Sequence, residues 1–238
     1  MQFLLVLLIV SIGWPAYAET VSGIPVIADA DTVEFLPRTK VRLLDMDAPE
    51  TDQFCLDKKG EAYSCGITAL EALKQHVRAK QWNCEGTKFD RDGRLLARCI
   101  VESENISQWM VRNGWAMSPT KKGYSHRFDA DEKLARDAQA GLWSGAFIAP
   151  QDWRYRNCKT EVRGALDVPI DAERKLCGSP AIPPNPTCTI KSTTRGGACI
   201  YHVEGASFYG ALKMSDRNKR WFCSELEAQA AGCRRSKR

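Results

Sequence analysis

The chain has 238 residues with 34 Lys and Arg against 29 Asp and Glu, a net charge of +5 and 44% hydrophobic residues, which is enough for one globular domain and a small second one. No segment beyond the first eighteen residues is apolar for long enough to span a bilayer, so stable membrane insertion is excluded. Three scattered histidines, His76, His126 and His202, and the absence of any C-x-x-C pair argue against a structural zinc site.

The N-terminus runs through an apolar stretch, Phe3 to Val10, to Ala16-Tyr17-Ala18. That ending suits signal peptidase, so residues 1–18 are expected to be a signal peptide and the mature chain to be secreted or periplasmic. All ten cysteines follow it, and an even count in an exported chain favours disulfides. The simplest connectivity is local, Cys55/Cys65, Cys84/Cys99, Cys158/Cys177, Cys188/Cys199 and Cys223/Cys233; a bridge between Cys188 and Cys223 is equally open.

Val26-Ile27, Thr32 to Phe35 and Val41 to Leu44, interrupted at Pro37-Arg38, read as consecutive short strands. Ile67, Leu70, Leu73 and Val77 then place apolar groups on one helical face. Asn83 to Asp90 and Gly93 to Val101 form a hairpin around Arg91-Asp92-Gly93, with Cys84 and Cys99 stapling its strands. Two further helices are expected, from Ile106 to Asn113 and from Phe128 to Ala140, closed by Gly114 and Gly141. Strands followed by interleaved helices over about 130 residues fit an α+β domain with a small closed barrel.

Residues 150–187 are rich in Pro and charge without a clear apolar period, and read as a linker. From residue 188 a compact basic module of 188–238 is expected. The segment from Pro186 onward carries ten Lys and Arg against four Asp and Glu, so it is +6 and the rest of the chain −1. Such a module suits a polyanionic partner. It ends in a capping box, Ser224-Glu225-Leu226-Glu227, opening a helix that stops at Gly232.

Three clusters carry candidate chemistry: Asp29-Ala30-Asp31-Thr32, Arg42 through Glu50, and Asp90-Arg91-Asp92-Gly93-Arg94. Acidic residues beside a turn are individually weak signals. Together, in this order and spacing, they resemble the staphylococcal-nuclease-like family, whose motifs read approximately D-G-D-T, R-L-x-x-I-D-A-P-E and D-x-Y-G-R. The resemblance covers about residues 22–148 and implies an OB-fold, a five-stranded barrel with about three helices, in a domain of 19–149.

The resemblance also implies roles. Asp31 and Asp47, with the Ala48 carbonyl, would hold one calcium ion, and Arg42, Glu50 and Arg94 would be catalytic. The chemistry agrees: calcium takes oxygen ligands, a glutamate orients or deprotonates water, and guanidinium forks match phosphate oxygens. The implied reaction is hydrolysis of DNA or RNA leaving 3′-phosphate ends, by a protein expected to be monomeric. Departures from the pattern are Ala30 for Gly, Arg91-Asp92 before Gly93, and Met117-Ser118-Pro119 where the family commonly has Tyr; Arg91 and Tyr124 are the candidate substrate contacts. The competing readings are an inactive binding module of the same fold and an exported structural protein.

Overall fold

The structure is a computed structural model that describes residues 18–119, 125–155, 160–168, 176, 183, 186–195, 198–214 and 218–237. The expected signal peptide, Tyr124, the Cys158/Cys177 pair and much of the expected linker lie outside these residues.

In chain order the first strands are β1 (Glu19–Gly23), β2 (Val26–Asp29), β3 (Thr32–Phe35) and β4 (Thr39–Leu43). A short ribbon, β5 (Cys55–Leu56) and β6 (Ala62–Tyr63), leads to α1 (Cys65–Val77) and the hairpin β7 (Trp82–Phe89) and β8 (Leu95–Val101). Next come β9 (Glu104–Asn105), α2 (Ile106–Arg112), α3 (Asp129–Asp137), a 3-10 turn at Gly141–Ser144, β10 (Phe147–Ile148), α4 (Pro150–Tyr155) and β11 (Val162–Arg163).

The main sheet runs β1-β7-β8-β4-β3-β2, with β9 beside β8. It is the curled sheet of an OB-fold, the five strands β2, β3, β4, β7 and β8 being extended by β1 and β9. Alternation decides which face is inside. Leu95, Ala97, Cys99 and Val101 of β8 point inward with Val33, Phe35, Val41 and Leu43 from β3 and β4. Ala69, Leu70, Leu73 and Val77 of α1 close one side of this core, and Ile106, Met110 and Val111 of α2 another. Truncating a buried Leu such as Leu73 to Ala costs about 2–5 kcal/mol.

Gly114 closes α2 as expected, but α3 stops earlier than expected, at Asp137 with Gln139 (φ 49°) as its left-handed residue, and Gly141 opens the 3-10 turn instead. Gly114 (φ 73°) and Gly141 (φ 54°) adopt left-handed backbone, and a Cβ on Gly141 would lie 2.5 Å from the Gly114 carbonyl oxygen. Only glycines allow the chain after α2 and the chain after α3 to meet there, joined by Leu142 N–H donating to Gly114 O at 3.0 Å.

The expected linker begins with structure of its own. Residues 150–155 form α4, whose Trp153 is fully buried with Leu56, Ala146, Ile148 and Leu176.

The C-terminal module is a four-stranded sheet in the order β14-β12-β13-β15, formed by β12 (Ile190–Arg195), β13 (Ala198–His202), β14 (Lys219–Phe222) and β15 (Cys233–Arg235), with α5 (Glu225–Ala230) against it. Its disulfides correct the local pairing. Cys188 joins Cys223 and Cys199 joins Cys233. The register explains this: β13 and β15 are parallel with Cys199 opposite Cys233, and Ile190 faces Phe222, which brings the residues just outside those strands together. The expected Cys55–Cys65 and Cys84–Cys99 bridges are both present.

Candidate active site

Three stretches of backbone bring the site together. The β2–β3 turn carries Asp31, β4 carries Arg42, and the loop after β4 carries Asp47 through Gln53. Ala30, buried in the first turn, does not take positive φ, so the methyl group in place of hydrogen is accommodated. Asp45 takes the left-handed conformation (φ 64°) and turns the chain into the loop. Reciprocal backbone hydrogen bonds at 2.9 Å between Asp47 and Met117 then anchor it on the chain after α2.

Further ties hold the loop from the other side. The Gln53 side chain donates to Ile148 O at 2.9 Å, and Trp153 Nε1 donates to Asp52 Oδ1 at 3.0 Å. The first turn of α1 lies directly on the Glu50 peptide: a Cβ on Gly66 would sit 1.7 Å from Glu50 O. Cys55–Cys65 bridges the loop's end to the first residue of that helix.

Arg42 reaches across from β4. Its guanidinium donates to Asp31 Oδ1 at 3.0 Å and lies 2.8 Å from Asp31 Oδ2 and 3.2 Å from Asp47 Oδ1. Thr32 donates to Asp31 Oδ1 at 2.8 Å, fixing that carboxylate. Asp31, Arg42, Asp47 and Glu50 therefore converge, with Ala48 buried between the last two.

Two cations missed by the sequence reading complete the cluster. Arg154 of α4 donates to Glu50 Oε1 at 2.6 Å and to both oxygens of Asp47, at 2.6 and 2.8 Å. Arg220 of β14 donates to Glu50 Oε2 at 2.6 Å and approaches Asp52 Oδ2 at 3.4 Å. Both lie far from the motif in sequence, so no local spacing marked them.

Arg94 has different partners. Its Nε donates to Asp90 Oδ2 at 2.7 Å, NH1 to the Ala230 carbonyl of α5 at 2.7 Å, and NH2 to Asp92 Oδ2 at 3.1 Å. Arg91 is exposed at the tip of the β7–β8 turn. The module touches the same loop again through Thr51, which donates to Glu227, while Glu227 accepts from the Cys223 amide at 2.7 Å. The capping box is therefore half used: Ser224 Oγ accepts from Glu227 N at 3.1 Å, but the Glu227 carboxyl turns to Thr51.

Electrostatics follow from burial and pairing. Burial pushes Glu50 up, yet Arg220, Arg154 and Arg42 outweigh it and hold the carboxyl well below its ordinary range. Burial raises Asp47 despite Arg154 and Arg42. Asp29 is raised strongly by burial and by Asp31, Glu50 and Glu227. Asp31, Asp47, Glu50 and Asp52 stand beside Arg42, Arg154 and Arg220 among the described residues. The atoms that Asp31, Asp47 and the Ala48 carbonyl offer to a ligand are oxygens, which fits a hard divalent cation. No preformed group of three or more metal-binding side chains occurs among the described residues.

An OB-fold with a carboxylate and guanidinium cluster at the barrel mouth defines the class of small-barrel nucleases. The family model for staphylococcal nuclease homologues matches residues 40–145. An uncharacterized endonuclease of Escherichia coli O157:H7 is 30% identical over 150 residues, covering 60% of this chain and 92% of its own length. Micrococcal nuclease of Shigella flexneri is 30% identical over 165 residues, covering 63% of this chain and 87% of its own. The succinoglycan biosynthesis protein ExoI of Rhizobium meliloti is 31% identical over 130 residues, covering 53% of this chain and 66% of its own. The chain belongs to the staphylococcal nuclease homologue family. Its disulfides indicate an oxidising compartment, and no helix of the described residues is long and apolar enough to cross a membrane.

Proposed function

We propose that this protein is an exported, calcium-dependent nuclease that hydrolyses phosphodiester bonds of DNA or RNA and leaves 3′-phosphate ends. The observation that carries the reading is the convergence of Asp31, Arg42, Asp47 and Glu50 through a continuous chain of ion pairs.

Asp31, Asp47 and the Ala48 carbonyl would hold calcium, which when bound supplies Lewis-acid charge beside the scissile phosphate. Glu50 orients a water molecule and accepts its proton as the water oxygen bonds to phosphorus. The bond from phosphorus to the 5′-oxygen breaks, and that oxygen leaves as a hydroxyl after taking a proton from solvent. Arg42 and a second guanidinium, for which the family pattern nominates Arg94, neutralise the equatorial oxygens as they gain charge. Arg91 and Tyr124 are proposed outer contacts to substrate. A flexible single strand suits a small barrel mouth better than a rigid duplex. The protein is expected to act as a monomer after removal of residues 1–18.

The test is digestion of denatured DNA with calcium and with a chelator, followed by end analysis of the fragments. Calcium-dependent cleavage with 3′-phosphate ends supports the reading, and continued cleavage in chelator rejects the metal role. Glu50→Gln is expected to bind substrate but lose at least about two powers of ten in rate. An unaltered rate removes Glu50 from the mechanism.

A further inference from the structure

We propose that the C-terminal module is an autoinhibitory cap: docked, it bonds directly to Glu50 and Arg94, and the nuclease turns over only when the module undocks. The inference rests on the nuclease reading above.

The first ground is where the module's bonds end. Arg220 of β14 donates to Glu50 Oε2 at 2.6 Å, while Arg154 holds Oε1 at the same distance, so both oxygens of the proposed base are engaged in ion pairs. Withdrawal of β14 frees Oε2 for the attacking water. A module that only gripped substrate would turn its cations outward, yet Arg220 faces Asp52 and Glu50.

The second ground is the bond at Arg94. Its Nε and NH2 are held by Asp90 and Asp92 of its own turn, which aim the guanidinium, and NH1 donates to Ala230 O of the module at 2.7 Å. Ala230 ends α5, so no further helical turn supplies a donor to its carbonyl. That oxygen occupies the acceptor position that an oxygen of the substrate phosphate would take. The chain beyond it closes over the same turn: a Cβ on Gly232 would lie 3.0 Å from Asp92 Oδ1. A phosphate reaches NH1 only when α5 has moved.

The third ground is that the docking contact is built from residues outside the chemistry and can part. Ile67, the first apolar residue of the α1 stripe, packs against Cys188, Met214 and Trp221 of the module, whereas Leu70, Leu73 and Val77 enter the barrel core. Thr51, beside the base, donates to Glu227 of α5. Among the described residues every disulfide lies wholly within the barrel or wholly within the module, so no crosslink there fastens one to the other.

The experiment compares full-length Ile67→Asp and Met214→Asp with wild type. Each places a charge in the apolar contact, from opposite sides. The first turn of α1 accepts an Asp, which faces unpaired helix N–H groups there, and Met214 lies in the module, away from the barrel core. Where one substitution unfolds the chain, the other carries the comparison. Hydrogen exchange of residues 50–53 and 225–232 reads docking. Initial rates on subsaturating denatured DNA with calcium read turnover, and binding of a short single-stranded oligonucleotide in chelator reads access to Arg94 without chemistry. Both variants are expected to exchange faster in both segments. Rate and oligonucleotide affinity should each rise by at least about fivefold, because a capped population lowers both in proportion to the uncapped fraction.

Faster exchange with rate and affinity at or below wild type overturns the proposal and makes the module part of the working site. Unchanged exchange in both variants also overturns it, since the contact between Ile67 and Met214 then does not hold the module. If no protein cleaves but the variants bind the oligonucleotide more tightly, the nuclease reading falls and the cap stands.

Discussion

Arg220 NH2 lies 2.6 Å from Glu50 Oε2, an ion pair between residues 170 positions apart that fastens the C-terminal module onto the loop bearing the proposed base. Arg220 is 14% exposed and Glu50 7%, so neither charge is well hydrated when the other is removed. Arg220→Ala should destabilise the protein by about 1–3 kcal/mol, the cost of losing charged hydrogen bonds, less than that of orphaning a buried charge because Glu50 keeps Arg154. Urea midpoints measured for Arg220→Ala and for a double variant with Glu50→Gln separate the pair from general loss of packing. A wild-type urea midpoint in Arg220→Ala would contradict this assignment.

Gly66→Ala should disturb catalysis without touching an ionisable group. Its Cβ would fall 1.7 Å from Glu50 O and 2.7 Å from the Thr51 Cα, and both are backbone atoms that can yield only by moving the loop. The expected stability loss is about 1–3 kcal/mol, and a shift of the loop by about 1 Å costs up to two powers of ten in rate. Thermal melting and kcat check both halves, and wild-type kcat in a folded Gly66→Ala protein would show that the contact does not position Glu50.

Docking of the module should depend on pH through Glu227. Burial raises this carboxyl from 4.5 to about 8; the Cys223 amide and Arg220 act against the rise, and Asp52, Glu50 and Asp29 reinforce it. The protonated form is therefore the one favoured in the folded state. Its stabilisation is complete below pH 4.5 and is lost as pH rises towards about 8. The urea midpoint of wild type should fall across that window relative to Glu227→Gln, which does not titrate and whose oxygen can accept from the Cys223 amide while its NH2 donates to a reversed Thr51 hydroxyl. Parallel pH profiles for the two proteins would refute it.

Asp47→Asn should raise the calcium concentration needed for half-maximal activity by about tenfold or more, because a neutral oxygen donor is weaker and one negative charge is lost. Arg42 and Arg154 would also lose an ionic partner each. A calcium titration of initial rates reads this directly, and an unshifted midpoint would remove Asp47 from the ligand set.

The end of α3 at Gln139 had no local signature, but the barrel was legible because period-two strands, the Cys84/Cys99 hairpin and the glycine-stopped α2 each have one. The same holds for Asp31, Arg42, Asp47 and Glu50, which lie within twenty residues and share short turns. What local pattern does not encode is contact across the fold. Arg154 belongs to a six-residue helix in a stretch that reads as linker, and its placement comes from Trp153 inserting under β10. Arg220 depends on a second sheet docking against the first. The Cys188–Cys223 bridge likewise follows from strand register, which cysteine spacing leaves open. Glu227 kept its capping-box position, yet its carboxyl was drawn to Thr51 by an interface that the helix signature does not contain.

The order of the four module cysteines has a further consequence. With Cys188 bonded to Cys223 and Cys199 to Cys233, every peptide bond between residues 188 and 233 is spanned by at least one covalent crosslink. A protease that nicks an exposed hairpin tip there releases no fragment until the bridges are reduced. In a milieu rich in digestive enzymes, the strand that carries Arg220 would remain leashed to the rest of the molecule after such a cut.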